Sequence, residues 1–104
     1  MPVDAALLDG PGGSLTVVLA GELDLADAQH LRTLLARAVE RSAYLTVDLA
    51  GVTFLDCTIL GVLLGARRTA RDAGGGLRLD RCRPAVRRLL ALTELEGQFG
   101  LARS

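Results

Sequence analysis

The chain has 104 residues, half of them hydrophobic, with 12 basic and 12 acidic side chains and no net charge. This length suits a single domain, residues 1–104, with one small core. The balanced charge and only three aromatic residues (Tyr44, Phe54, Phe99) argue against nucleic-acid partners and against broad attraction to a membrane surface.

In chain order, Val3 to Leu8 is predicted as a weak first strand, and Asp9-Gly10-Pro11-Gly12-Gly13 as a turn, because Gly and Pro supply its dihedrals. Ser14 to Leu23 is predicted as a second strand, apolar on both faces (Leu15, Val17, Leu19; Val18, Ala20) and so covered on both sides. Asp24 is placed to cap a helix from Ala26 to about Arg41, with Asp27 adding negative charge to its first turn. Ala28, Leu31, Leu34, Leu35 and Ala38 give that helix an apolar face. Tyr44 to Leu49 reads as a central third strand, followed by a loop from Ala50 to Leu55. Asp56 then precedes a helix from Cys57 to about Ala73, stopped by Gly74-Gly75-Gly76. Gly61 and Gly65, four apart on one face, suggest close packing of this helix on the sheet, with a dimer groove as the alternative reading. Leu77 to Leu79 makes a short fourth strand, Pro84 opens a helix carried by Ala85 to Thr93, and Phe99 to Ala102 suits a brief last strand.

Helices between strands imply an α/β fold with a mixed four- to five-stranded sheet and parallel crossovers. Sites in such sheets lie at the carboxyl ends of strands. Two segments have that character here, Gly21-Glu22-Leu23-Asp24 and Phe54-Leu55-Asp56-Cys57-Thr58.

The chemistry of catalysis is thin. Gly10-Pro11-Gly12-Gly13 precedes a strand, not a helix, and offers no phosphate cradle. Cys57, Cys82 and the single His30 lack zinc-ligand spacing, and no metal or cofactor is expected. His30 falls on the polar face of the first helix and reads as a solvated residue, although a Cys57–His30 pair is conceivable. Glu22, Asp24 and Asp56 gather at one edge without an aromatic platform or an Arg pocket, so no enzyme is expected. The two cysteines make no secreted disulfide framework. No leader opens the chain and no apolar run reaches membrane length, so the expected location is cytoplasmic, without direct membrane insertion.

Two segments carry a resemblance: Ala20-Gly21-Glu22-Leu23-Asp24-Leu25-Ala26 before a helix, and Val47-Asp48-Leu49-Ala50-Gly51-Val52-Thr53-Phe54-Leu55-Asp56-Cys57-Thr58-Ile59-Leu60-Gly61. Arg78-Leu79-Asp80 with Pro84 to Leu90 completes the set. In this order and spacing they resemble the STAS domain of bacterial anti-sigma-factor antagonists. The resemblance implies the STAS fold with a short C-terminus, lacking most of the C-terminal helix that many members carry. It also implies an antagonist that binds an anti-sigma factor of the Ser/Thr-kinase, ATPase-fold type and so releases a sigma factor. The kinase turns such proteins off by phosphorylating a Ser in an Asp-Ser-Ser/Thr-Gly-Leu motif at the start of the helix after the third strand. Two added charges there meet a helix N-terminus.

Against that pattern, Asp56-Cys57-Thr58-Ile59-Leu60 departs twice: Cys57 stands at the phosphoserine position and Ile59 at the Gly, where its side chain would narrow access. Three readings stand for Cys57. It is a small, partly buried filler in an antagonist that cannot be switched off; or Thr58 has become the phospho-acceptor; or Cys57 is a redox sensor, with Cys82 at the same sheet edge as a possible partner. A helix N-terminus favours thiolate chemistry in general. The partner-binding set implied by the resemblance is Gly21, Glu22, Asp24, Asp56, Cys57, Thr58 and Ile59, in a monomer or weak homodimer. Arg67, Arg68 and Arg71 read as a solvated face, or as a match for an acidic patch on the partner. The alternative function is an accessory STAS subunit of a sensor or lipid-transport assembly that never acts on sigma factors.

Overall fold

Leu15, Val17 and Leu19 in the second strand, and Leu45, Val47 and Leu49 in the third, recur at every second residue, and that alternation decides which side of the sheet becomes the core. In the computed structural model, which describes residues 3–92, β1 (Asp4–Asp9) turns through a short 3-10 segment (Pro11–Gly13) into β2 (Leu15–Leu23). A second 3-10 turn (Leu25–Asp27) leads into α1 (Ala28–Arg41), followed by β3 (Tyr44–Leu55), α2 (Cys57–Asp72), β4 (Gly76–Asp80) and α3 (Pro84–Leu92). The strands lie in the order β1-β2-β3-β4, the first pair antiparallel and the other two parallel. This is the mixed α/β sheet expected from sequence; the predicted fifth strand at Phe99 lies outside the described residues.

Register places Leu15, Val17, Leu45, Val47, Leu77 and Leu79 on one face, all buried. Against them pack α1 through Ala28, Leu31, Leu35 and Ala38, and α2 through Ile59, Leu60, Val62 and Leu63. Both helices belong to parallel crossovers running the same way across the sheet, which puts them on one side. The opposite face carries Thr16, Val18, Thr46, Asp48, Arg78 and Asp80, none of them fully buried. The expectation that β2 is covered on both sides is therefore corrected: Val18 and Ala20 are only half-buried.

Two further expectations change. Residues 50–55 are strand, not loop, because β2 continues beside them, with register shifts between Val18 and Ala20 and between Gly21 and Glu22. Gly61 and Gly65 do not bring α2 close to the sheet, since a Cβ on either would meet nothing within 4 Å. They line a groove between α1 and α2 instead. The glycine that permits a close approach is Gly75. Gly76 donates its amide to the Ala43 carbonyl at 2.8 Å, and a Cβ on Gly75 would lie 1.9 Å from that same oxygen.

Gly75→Ala is expected to lower stability by about 1–3 kcal/mol through overpacking against backbone. Gly61→Ala, with open space around it, should be neutral or stabilising by roughly 0.5–1 kcal/mol through helix preference. Urea midpoints of the two variants check this contrast.

Candidate functional site

The carboxyl ends of β2 and β3 are built as one piece. Glu22 and Leu23 pair with Phe54 and Leu55, and the ladder ends where the Asp56 amide donates to the Leu23 carbonyl at 3.3 Å. The bulge that keeps the strands together sits at Gly21, whose φ of 92° is a left-handed conformation that other residues adopt only with strain. Past Leu23, Asp24 closes a capping box: its Oδ1 accepts from the Ala26 amide and its own amide donates to Asp27 Oδ2, both at 2.9 Å. Past Leu55, Asp56 caps α2 by accepting the Ile59 amide at 3.1 Å. Such caps hold a helix start by about 1 kcal/mol each, and here they fix the first helical residue, Cys57.

The structure thus brings the two predicted segments together. Gly21, Glu22, Asp24 and Cys57 are exposed, and Asp56 and Thr58 are half-buried. Two expectations are corrected. Cys57 is not a partly buried filler: it is exposed, on the turn of α2 whose core-facing positions are Ile59 and Leu60. Ile59 is fully buried in the core, so it neither narrows access to residue 57 nor offers a side chain to a partner. Cys82 follows β4, half-buried against the core. Burial pushes its thiol up; the nearby Arg87 opposes this, and the Asp80 and Asp48 carboxylates add to it. Both thiols are free. His30 is exposed as expected, yet its Nδ1 accepts the Val3 amide at 2.7 Å and so ties the entry of β1 to α1. Among the described residues no cluster of His, Cys, Asp or Glu could hold a metal, and no helix is long and apolar enough to cross a membrane.

Two features were missed by sequence reasoning. The first is an apolar groove of about 280 Å³ between the end of β3 and α3, lined by Thr53, Phe54, Leu55, Val86, Leu89 and Leu92. The signal was Phe54 in a segment read as loop; it is 52% exposed and stands two residues before Asp56. The second is a clamp at the end of β4. Arg81 Nε and Nη2 reach Asp48 Oδ2 at 3.1 and 2.9 Å, and Asp48 Oδ1 accepts the Ala50 amide at 2.9 Å. Arg83 Nε donates to the Ala50 carbonyl at 2.7 Å. Burial alone would raise the Asp48 carboxyl, but the Arg81 hydrogen bonds, the Ala50 amide and the guanidinium charge outweigh it and hold the group below the usual carboxylate range.

Residues 6–102 match the family model described as Mlab, STAS domain. The chain belongs to the STAS domain family. It is 32% identical over 97 residues to a STAS-domain containing protein of Pseudomonas aeruginosa (strain UCBPP-PA14), an alignment covering 93% of this chain and 96% of that protein. It is 34% identical over 82 residues to the anti-sigma-B factor antagonist of Bacillus subtilis (strain 168), covering 79% of this STAS domain and 75% of the relative. Among solved structures, an anti-sigma factor antagonist from Mycobacterium paratuberculosis superposes with a TM-score of 0.80 at 28% identity, covering 98% of this chain and 86% of that one. The STAS domain is therefore a member of the anti-sigma factor antagonist family in sequence and in fold.

The lowered Asp48 carboxyl sets a pH dependence. Its contribution is fully present above the unfolded value of about 3.9 and is lost as pH falls through the lower folded value. Chemical denaturation followed from neutral pH to below about pH 3 is expected to show a steeper loss for the wild type than for Asp48→Asn, which has no carboxylate to titrate.

Proposed function

We propose that this STAS domain binds an anti-sigma factor of the Ser/Thr-kinase, ATPase-fold type in the cytoplasm and so releases a sigma factor, acting by docking and not by catalysis. The observation that carries the reading is the bond between the Asp56 amide and the Leu23 carbonyl, which joins the Gly21–Asp24 segment to the start of α2 as one surface. That surface presents Glu22, Asp24 and Cys57, with the exposed Leu25 and Phe54 flanking it. Its mixture of carboxylates and apolar side chains suits a protein partner.

The difference from a phosphorylated antagonist lies at residue 57. A kinase that transfers phosphate to a Ser hydroxyl meets a thiol there, and the neighbouring hydroxyl, Thr58, is half-buried. This reading makes the protein an antagonist that its kinase does not turn off at the usual position. An accessory role in a sensor or lipid-transport assembly is the second reading. It is favoured by the same missing Ser, because a subunit that does not switch needs no acceptor.

Incubated with the kinase and ATP, the wild type is expected to remain unmodified in mass spectrometry, while Cys57→Ser gains one phosphoryl group. Phosphate on wild-type Thr58 would overturn the unswitched reading. In calorimetry Glu22→Lys should weaken kinase binding about tenfold at low salt. Asp56→Lys should abolish binding, and Asp56→Asn, which keeps an oxygen for the Ile59 amide, should retain it. Unchanged affinity in both Lys variants places the docking surface elsewhere; a wild type that binds no kinase favours the accessory role.

A further inference from the structure

Nine of the twelve Arg lie from residue 57 onward, while eight of the twelve acidic residues precede it, so a chain with no net charge is strongly divided along its length. α2 gathers three of these Arg. Arg67, Arg68 and Arg71, with Leu64 and Asp72, line an open depression of about 350 Å³ on the helix surface. Arg68 and Arg71 are exposed; Leu64 and Arg67 are half-buried.

Among the described residues the fold accounts for little of this grouping: Asp72, four residues after Arg68, offers one weak opposite charge. The three Arg take no part in the ion pairs among the described residues, Arg41–Asp9 and Arg81–Asp48. The helix dipole explains Arg71 alone, because it is the basic residue of the last turn and the effect fades beyond that turn. Arg67 and Arg71 stand four apart, where like charges disfavour the helix. Ile59, Leu60 and Leu63 already bury the helix without them.

We propose that this flank of α2 docks an acidic segment of the partner protein that also carries a leucine-like side chain. The carboxylates engage the guanidinium forks of Arg67, Arg68 and Arg71, and the apolar side chain packs on Leu64. Leu64 lies seven residues from Cys57, two turns along the same stripe of the helix, so the flank continues the surface described above. In that respect the inference rests on the docking reading. An anionic membrane suits the site less well, since recognition of anionic lipid uses clusters of about four to eight basic residues. This depression holds three Arg and an Asp, in a chain of zero net charge.

The test uses the full chain, labelled with nitrogen-15, at low salt. Titration with a synthetic peptide of alternating Glu and Leu is expected to shift the amides of residues 64–72, and the shifts should fade as salt is added. Replacing Arg67, Arg68 and Arg71 together by Gln keeps helix preference and the side-chain stems. It is expected to abolish the peptide shifts and to weaken kinase binding about tenfold, while Arg32→Gln with Arg37→Gln on α1 leaves both unchanged. Shifts that fall elsewhere, or that persist in the triple variant with its circular dichroism intact, overturn the proposal. So does binding to phosphatidylglycerol vesicles without binding to the peptide. A wild type that binds the peptide at residues 64–72 but no kinase refutes the docking reading while upholding an acid-binding flank.

Discussion

Parallel pairing of β2 and β3, carried past two register shifts to the Leu23–Asp56 hydrogen bond, is the constraint on which the site depends. Two strand ends held in one ladder bring their following loops into contact without either loop having to fold on its own. The chain then needs only a cap on each side to define the surface: Asp24 on the turn before α1 and Asp56 on α2. The carboxylate of Asp56 holds the first turn of α2, and the helical phase that buries Ile59 and Leu60 leaves Cys57 exposed.

The elements themselves were largely legible. Alternation in β2, the 3.6-residue period of α1 and α2, and the punctuation by Asp24, Asp56 and Pro84 are local signals, and the structure follows them within a residue or two. What was not legible depends on distant partners. Residues 50–55 look like a loop because Ala-Gly-Val-Thr is weakly patterned, and only the bulged edge of β2 beside them makes them strand. Gly61 and Gly65 have the spacing of a close helix contact, but spacing does not say which face they occupy. Ile59 shows the same limit from the other side. Its place in a family motif suggests surface, and its helical phase, two positions after Cys57, turns it into the core. The apolar groove at Phe54 needs α3 to be positioned before it exists at all.

The sheet is covered by helices α1 and α2 on one side only, which sorts the chemistry of the molecule. The covered side is aliphatic throughout and supplies stability by burial, with single large-to-small changes there costing about 2–5 kcal/mol. On the other side Thr16, Thr46 and Asp48 remain partly accessible. Family membership agrees with this division. The features shared with the Bacillus subtilis and Mycobacterium paratuberculosis antagonists extend over most of the chain. What separates this chain from the phosphoserine pattern is confined to two positions either side of Thr58, one exposed at residue 57 and one buried at residue 59.

Arg81 adopts a φ of 54°, the one non-glycine residue among those described with a left-handed backbone. A Gly would reach that conformation without strain, but it could not grip Asp48 on the neighbouring strand. The conformation is therefore favoured only once β3 and β4 lie side by side. This makes the backbone shape of the link into α3 and the pairing of β3 with β4 depend on each other. The wall that α3 contributes to the Phe54 groove is therefore tied, through Arg81, to the integrity of that sheet edge.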